Sequence, residues 1–244
     1  MTEWFKDWFD TQEYLQVYRH RNNDDAQKLV DLILNNIELP VFGNILDMAC
    51  GSGRHSILFS EKGYPVTAVD LSTNLLNTAK HAAEKAGVKI NFIQSDLRTF
   101  SIRTKFSLVV NLFTSFGYFE DECENLNILV TAFDHLVKKG YFVIDYFNSG
   151  FITRNLVKES CEDFENEKII QRRYIEGNRV NKQIIIRKND GERYFRESVR
   201  MYTKDELFNA IQNAGFTIVN CFGDSCGKPF DLESSPRIII IARK

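Results

Sequence analysis

The 244-residue sequence lacks the features that mark membrane, secreted or nucleic-acid-binding proteins. No apolar run approaches the ~20 residues that a membrane-spanning helix needs. The first residues, Met1–Asp7, carry a charge every few positions, unlike a signal peptide. With 31 Lys and Arg against 33 Asp and Glu, the net charge is −2, so the basic excess that favours phosphate backbones is missing. We therefore expect a cytoplasmic protein that contacts neither a membrane nor nucleic acid.

Cysteine and proline are also sparse. The five cysteines are an odd, scattered set, without the Cys-x-x-Cys pairs or the His-rich spacing of zinc sites. We expect reduced thiols rather than disulfides, and no metal site. Only four prolines occur, and no low-complexity tract or linker divides the chain. The length fits one globular domain that carries at most a modest insertion.

Short apolar runs alternate with helical patterns up to about residue 150. Five of these runs are too short for helices and are interpreted as strands: 45–49, 66–69, 90–93, 106–112 and 141–145. One amphipathic stripe begins after Ser72 and is closed by Gly87, and another runs from Leu126 to Val137. Near-continuous apolar strands alternating with helices predict a parallel sheet covered by helices on both faces.

The pattern changes beyond about residue 150. Three alternating runs, separated by turn signals, predict an antiparallel meander: 169–174, 180–186 and 194–199. A capping box at Thr203–Glu206 then begins a helix that Gly215 ends, and two strands follow at 216–222 and 238–241. We therefore divide the chain into three parts: an N-terminal helical segment (1–40), a core (41–150 and 200–244) and a β-insertion (151–199).

A glycine turn follows the first predicted strand. That strand contains Asp47, and the turn Gly51-Ser52-Gly53 leads into a helix from about Arg54. Glycines let a ligand approach the backbone, and a helix N-terminus supplies donors and a positive dipole end. Alone, the turn fits a dinucleotide site or a simple tight turn equally well. The third glycine of a dinucleotide fingerprint is absent, because Ser56 occupies its place.

Two further acids end the next two strands. Asp70 can accept hydrogen bonds from ribose hydroxyls, a feature shared by both cofactor classes. Asp96 can accept from an adenine amine, with Leu71 and Leu97 against the ring faces. The ordinary structural alternatives are a helix-capping acid for Asp70 and a turn residue for Asp96.

Three segments in this order resemble the cofactor motifs of class I S-adenosylmethionine-dependent methyltransferases: 47–53 (Asp-Met-Ala-Cys-Gly-Ser-Gly), 69–72 (Val-Asp-Leu-Ser) and 95–97 (Ser-Asp-Leu). The resemblance runs from about residue 10 to the end, and is to the small-molecule type with a β-insertion after strand five. It implies an α/β fold with a seven-stranded Rossmann-like sheet whose last strand is antiparallel. It also implies that the glycine turn lies against the methionine part of the cofactor, where Asp47 organises the turn, Asp70 holds the ribose and Asp96 meets the adenine.

The resemblance extends to residues after the fourth strand and to the N-terminal segment. Asn111 would face the sulfonium and the acceptor, and Tyr118 would shape the acceptor pocket. Tyr18 or Arg21 would contact the methionine carboxylate. The expected cofactor-binding residues are Tyr18, Arg21, Asp47, Ala49, Cys50, Gly51, Gly53, Asp70, Leu71, Asp96, Leu97, Asn111 and Leu112.

Each of these residues also has a purely structural interpretation. Asn111 is equally a buried, satisfied amide, Tyr118 and Phe116 are equally core aromatics, and His55 fits a structural role better than a catalytic one. The N-terminal segment is equally a helix that only packs. The β-insertion either caps the site or forms a dimer contact.

Together the motifs predict methyl transfer from S-adenosylmethionine to a small-molecule acceptor, leaving S-adenosylhomocysteine. No His/Asp pair near the motifs supplies a base for a hydroxyl, which favours an amine or an acidic carbon as the acceptor. Of the possible reactions, we favour N-methylation over O- or C-methylation. The segment 111–119 is similar to amino-sugar N,N-dimethyltransferases and lacks the Asn-Pro-Pro-aromatic pattern of base-directed enzymes. No catalytic residue is assigned, and a monomer or homodimer is expected.

Two other functions are weighed. A NAD-dependent oxidoreductase on a related fold is opposed by Ser56 and by the lack of a Tyr-x-x-x-Lys pair. A non-catalytic S-adenosylmethionine-binding module is opposed by the intact acids Asp47, Asp70 and Asp96, since a degenerate site tends to lose them.

Overall fold

The computed structural model describes residues 3–19, 23–165 and 167–244, and within them the chain forms helices and two separate sheets. The helices are α1 (Trp4–Phe9), α2 (Gln12–Val17), α3 (Asn23–Asn35), α4 (Arg54–Glu61), α5 (Thr73–Lys85), α6 (Glu122–His135), α7 (Ser149–Asn155) and α8 (Lys204–Asn213). The strands are β1 (Ile45–Met48), β2 (Val66–Asp70), β3 (Ile90–Gln94), β4 (Phe106–Asn111), β5 (Leu136–Phe147), β6 (Glu159–Phe164), β7 (Glu167–Glu176), β8 (Arg179–Lys188), β9 (Gly191–Arg200), β10 (Thr217–Phe222) and β11 (Arg237–Arg243).

The larger sheet has seven strands in the order β10-β11-β5-β4-β1-β2-β3. Strands β1 to β5 pair in parallel, whereas β11 runs antiparallel to both β5 and β10. The predicted Rossmann-like sheet with a reversed last strand is therefore confirmed. Every residue of β1 and β4 is buried, as expected for strands that are covered on both faces.

Successive residues of the central strands pack into different halves of the core. Leu46 and Val109 belong to the cluster that α6 and α8 cover, whereas Ile45 and Leu108 belong to the cluster that α3, α4 and α5 cover. This alternation follows from the two-residue period of a strand, and both clusters are apolar. No described helix has both the length and the apolar character to cross a membrane.

The helix signals are largely confirmed. The Ser72 hydroxyl accepts from the backbone N–H of Leu75 at the start of α5, and Thr203 and Glu206 form the capping box of α8. The prediction that the helix before β5 extends to Val137 is wrong, because α6 ends at His135. The backbone of Leu136 already belongs to β5, where it pairs with Phe106. Its side chain is 2% exposed, so its apolar character fits the helical pattern although it is buried as part of a strand.

The β-insertion contains four antiparallel strands, in the order β6-β7-β8-β9, and not the predicted three. Strand β6 has the sequence Glu-Ser-Cys-Glu-Asp-Phe and pairs only at its β7 side. An edge strand with both faces largely exposed needs no apolar alternation, so the pattern that identified β7, β8 and β9 is absent from it.

Candidate cofactor and acceptor site

The glycine turn lies at the carboxyl end of β1. Ala49, Gly51 and Gly53 all have positive φ, at 60°, 56° and 79°, and α4 begins directly afterwards. A Cβ on Gly53 would lie 2.9 Å from the Cβ of Ala79, so this position needs glycine for both its backbone angle and its packing against α5. Gly53 therefore allows α4 and α5 to pack closely, while the space beside the Cα of Gly51 is free of other atoms.

Asp47 lies beneath this turn and is buried. Its Oδ2 accepts a hydrogen bond of 2.5 Å from the hydroxyl of Ser56, in the first turns of α4. Burial raises the pKa of Asp47 to about 7, against the lowering effect of the Ser56 hydrogen bond. Ser56, which replaces the third glycine of a dinucleotide fingerprint, thus connects α4 to Asp47. In the sequence, Ser56 was only evidence against a dinucleotide site, and this contact was not predicted.

Asp70, at the end of β2, connects two backbone segments. Its Oδ2 accepts from the N–H of Gly51 at 2.7 Å, and its Oδ1 accepts from the N–H of Ser72 at 2.9 Å. Burial raises its pKa, while these backbone hydrogen bonds act in the opposite direction. The carboxylate is therefore fixed between the glycine turn and the start of α5, with further lone pairs on each oxygen available to a ligand.

Asp96, beyond β3, is held by Arg98. The Arg98 Nη2 lies 2.6 Å from Asp96 Oδ2, and the same guanidinium contacts Glu3 and Glu124. Partial burial raises the pKa of Asp96, but the Arg98 hydrogen bonds outweigh it and leave that pKa below its usual value. Sequence reasoning missed Arg98, although its position two residues after Asp96 is compatible with this local pairing.

A small cavity of about 100 Å³ brings several of the predicted cofactor residues together. Its walls include the predicted residues Ala49, Gly51, Asp70, Leu71, Asp96, Leu97 and Tyr118. Phe5 and Phe9 of α1 and Tyr14 of α2 close it from the N-terminal side. The ends of β1, β2 and β3 and the N-terminal segment therefore enclose one narrow space.

A larger cavity of about 520 Å³ adjoins the first. The two share the walls Phe9, Tyr14, Ala49, Gly51, Ser115 and Tyr118. Of the predicted residues, Tyr18, Asp47, Cys50 and Leu112 line the larger cavity, and its walls also include Glu197 of β9 and Arg237 of β11. Neither Glu197 nor Arg237 belongs to a recognisable motif, so neither could be chosen as a site residue from sequence alone.

Some buried donors in the larger cavity are unsatisfied. Trp4 Nε1, Thr114 Oγ1 and Arg237 Nη2 are buried and have no hydrogen-bond partner among the residues that the structure describes. Buried polar atoms are nearly always paired in folded proteins, and an unpaired one is costly unless a ligand or water completes it. This cavity therefore has the polar character of a binding site.

The N-terminal helices are fixed to both the core and the β-insertion. Asp10 accepts from the Ser72 hydroxyl at 2.7 Å and from the N–H of Asn74 at 2.9 Å. On the other side, Glu197 accepts from Trp8 Nε1 at 2.7 Å and from the Tyr18 hydroxyl at 2.6 Å. Helices α1 and α2 are thus linked to the start of α5 and to β9, whereas α3 packs on the core sheet.

The predicted carboxylate contacts have different outcomes. Tyr18 lines the larger cavity, and its hydroxyl donates to Glu197. Arg21 lies outside the described residues. Whether either residue contacts a cofactor stays a prediction.

The segment after β4 is bent sharply. Asn111 is 1% exposed, and its Nδ2 donates to the carbonyls of Met48 (3.1 Å) and Ser115 (3.2 Å). Phe113 and Thr114 both have positive φ, at 60° and 62°, which is strained for side chains of this size. Asn111 thus ties β4 to β1 and to the loop, and Tyr118, whose hydroxyl donates to the Thr114 carbonyl at 2.6 Å, faces both cavities.

His55 lines the larger cavity and is buried. Burial lowers its pKa to about 3, with further lowering by the charges of Arg54 and Arg237. It is therefore a neutral imidazole at physiological pH. Among the described residues, no group of three or more His, Cys, Asp or Glu side chains is arranged to hold a metal ion.

Comparison with known proteins identifies the central part of the chain. The family model described as "Methyltransferase domain" matches residues 45–140. These residues run from β1 into β5 and contain the glycine turn, Asp70 and Asp96.

Two curated relatives resemble this part of the chain. A putative methyltransferase, YqeM, of Bacillus subtilis (strain 168) is 33% identical over 137 residues, which are 56% of this chain and 53% of that protein. A Streptomyces venezuelae enzyme named dTDP-3-amino-3,4,6-trideoxy-alpha-D-glucopyranose N,N-dimethyltransferase is 29% identical over 141 residues, 55% of this chain and 56% of that protein. The chain thus spans just over half the length of these two relatives.

A solved structure resembles nearly the whole chain. A S-adenosylmethionine-dependent methyltransferase from Clostridium acetobutylicum ATCC 824 superposes with a TM-score of 0.80 at 19% identity, covering 95% of this chain and 97% of that one. This likeness supports the fold, including the β-insertion. Residues 45–140 thus match the methyltransferase domain model, and the chain as a whole has the fold of a solved S-adenosylmethionine-dependent methyltransferase.

Proposed function

We propose that the protein transfers a methyl group from S-adenosylmethionine to an amine of a small-molecule acceptor. The observation that carries this proposal is the pair of adjoining cavities, which share walls at Gly51 and Tyr118. We assign the adenosine end of the cofactor to the smaller cavity, which Asp70 and Asp96 line, and the acceptor to the larger one. Their junction is where a methyl donor and a nucleophile would meet.

The residues fit the cofactor in their chemistry. Asp70 offers carboxylate oxygens to the ribose hydroxyls, and Asp96 offers them to the adenine amine, between Leu71 and Leu97. The open backbone of the glycine turn takes the methionine part. S-adenosylmethionine supplies a carbon already activated by a sulfonium, so no metal or nucleophilic side chain is required of the protein.

The protein's contribution is positioning. Helices α1 and α2 cap the cofactor and exclude water, and the β-insertion closes the acceptor side through Glu197. Alignment of a nucleophile at attack distance is worth about 7–11 kcal/mol. An amine acceptor attacks in its neutral form and does not need the base that a hydroxyl acceptor would need. The His55 ring in this cavity is buried and neutral.

The relatives support the amine. The Streptomyces venezuelae relative carries N,N-dimethyltransferase in its name and acts on an amino sugar nucleotide by that name. A small amine-bearing acceptor is therefore the class that we favour over hydroxyl or carbon acceptors.

Titration calorimetry with S-adenosylmethionine, S-adenosylhomocysteine and NAD tests the cofactor. Both adenosyl ligands should bind and NAD should not; tight binding of NAD alone would overturn the proposal in favour of an oxidoreductase. A panel of small amines, alcohols and acidic carbon compounds, incubated with S-adenosylmethionine and followed by mass spectrometry, then tests the acceptor. Transfer only to alcohols would contradict the amine, and cofactor binding without transfer to any member would support a binding module.

A further inference from the structure

The larger cavity contains an arginine with one unused arm. Arg237 begins β11, and its Nε donates to Asp145 Oδ1 at 2.8 Å. Its Nη2 is buried and has no hydrogen-bond partner among the described residues. A guanidinium presents its donors as a rigid fork that suits the oxygens of carboxylates and phosphates. The unused donor therefore fits an oxyanion better than a neutral group.

Asp145 fixes the orientation of this arginine. It is 3% exposed on β5, and its Oδ2 accepts from the N–H of Phe113 at 2.9 Å. The guanidinium of Arg237 lies 5.4 Å from the centre of the Phe113 ring. Asp145 thus connects the arginine to the strained loop after β4, so the fork has a defined direction before any ligand binds.

The charges around the cavity favour an anion. Its walls contain five cationic side chains, namely Arg19, Arg54, Arg173, Lys182 and Arg237, and two acidic ones, Asp47 and Glu197. Glu197 is already paired with Lys182 at 3.0 Å, and Asp47 hydrogen-bonds to Ser56 below the glycine turn. Even counting Asp145 and Glu162, which pair with Arg237 and Arg19, positive charge predominates.

The position of Arg237 in the sheet separates it from the adenosine end. The acids Asp47, Asp70 and Asp96 belong to β1, β2 and the segment after β3, on one side of β4. Strands β5 and β11 lie on the other side of β4. Because β11 is antiparallel, its first residue lies at the same edge as the carboxyl ends of the parallel strands.

We propose that Arg237 binds an oxyanion of the methyl acceptor, a carboxylate or a phosphate, and that Asp145 is its positioning residue. This inference rests on the proposed function, because it assigns the larger cavity to the acceptor. It restricts the acceptor to molecules that carry both an amine and an anionic group.

Anion binding to the S-adenosylhomocysteine-saturated protein tests this directly. The bound product occupies the cofactor site, including the position that binds the carboxylate of its methionine-derived part, so an added anion must bind elsewhere. Sodium pyrophosphate in one arm and sodium acetate in the other are titrated at constant ionic strength by calorimetry. The variants are Arg237→Gln, Arg237→Lys and Asp145→Asn. Arg243→Gln is the matched control, because Arg243 lies at the opposite end of the same strand and is exposed.

At least one anion should bind the wild-type protein and the control equally, and Arg237→Gln should weaken it at least about tenfold. Arg237→Lys and Asp145→Asn should give intermediate losses, and they carry the comparison if Arg237→Gln does not fold. The tighter-binding anion identifies the group as phosphate or carboxylate.

Three results would overturn the inference. The first is an anion affinity that is equal in the wild-type protein, Arg237→Gln and Arg237→Lys. The second is that no anion binds the wild-type protein, with or without the product. The third is anion binding to the free protein that is lost once S-adenosylhomocysteine is added. The last would assign Arg237 to the cofactor's carboxylate. If S-adenosylhomocysteine itself does not bind, the proposed function fails instead.

Discussion

The hydroxyl of Ser56 donates a 2.5 Å hydrogen bond to the carboxylate of Asp47 below the glycine turn. The pair connects the end of β1 to α4, so it holds the turn in place from inside the core. It also leaves an acid in a site that disfavours its charge, because burial raises the pKa of Asp47 to about 7.

Asp47→Asn should stabilise the protein at high pH. The pKa of Asp47 is raised from 3.8 to about 7 on folding, so the native state binds more protons than the unfolded state between these values. The contribution of this group therefore falls as pH rises through that window and is lowest above pH 7. Asparagine, which stays neutral and still accepts from Ser56, should raise the free energy of unfolding at pH 8 by about 1 kcal/mol or more. Urea unfolding at pH 5 and pH 8 measures this, and a gain that is equal at both pH values would contradict the assignment.

Asp70→Ala should weaken S-adenosylmethionine binding at least tenfold, about 1.4 kcal/mol. The variant removes the proposed ribose contact and also the acceptor that fixes the Gly51 and Ser72 amides. Asp190→Ala, in the exposed β8–β9 turn, is the matched control. Calorimetry on folded protein gives the affinities, and an unchanged value for Asp70→Ala would show that this acid does not hold the ribose.

Asp10→Ala should speed the release of S-adenosylhomocysteine. Asp10 joins the α1–α2 turn to Ser72 and Asn74, so its loss frees one side of the segment that covers the small cavity. A hydrogen bond to a charged group contributes about 1.5 kcal/mol, which corresponds to roughly tenfold in rate. Stopped-flow displacement measures the rate, with Asp7→Ala on the exposed face of α1 as control. Equal rates in both variants would mean that the segment does not limit release.

Glu197→Gln should destabilise the protein by about 3 kcal/mol, because it removes the carboxylate charge that pairs with the largely buried Lys182 ammonium. Glu197 also accepts from Trp8 and Tyr18, so the docking of α1 and α2 should loosen as well. The double variant Glu197→Gln/Lys182→Met should recover part of this loss in urea unfolding. Additive losses in the double variant would argue against a coupled pair.

The parts of the fold that the sequence predicted are those with local or periodic signals. The apolar strands, the Ser72 cap and the Thr203–Glu206 capping box each depend on neighbouring residues, so their patterns are visible in the chain. The polar edge strand β6 has no such pattern and was missed.

The site divides in the same way. Asp47 lies within β1, Asp70 ends β2 and Asp96 follows β3, so the three acids are brought to one edge of the sheet, although their contacts with a cofactor stay predictions. Glu197 meets Trp8 across 189 positions of sequence, and Arg237 meets Asp145 across 92. Pairs at such separations leave no periodic trace in the sequence, so only the structure shows that Glu197 and Arg237 line the larger cavity.

The reversed direction of β11 bears on how the acceptor range of such a protein can diverge. Its first residue, Arg237, lies at the binding edge, and the segment 223–236 leads directly into it. The Asn148 side chain donates to the carbonyls of Leu232 and Ser235 and holds this segment against the core. Insertions there would reshape the wall of the proposed acceptor cavity, whereas changes after Arg243 lie about 20 Å away along the strand. If the two cavities are used as proposed, acceptor selectivity can change within a short C-terminal stretch while the methyl-donor site stays constant.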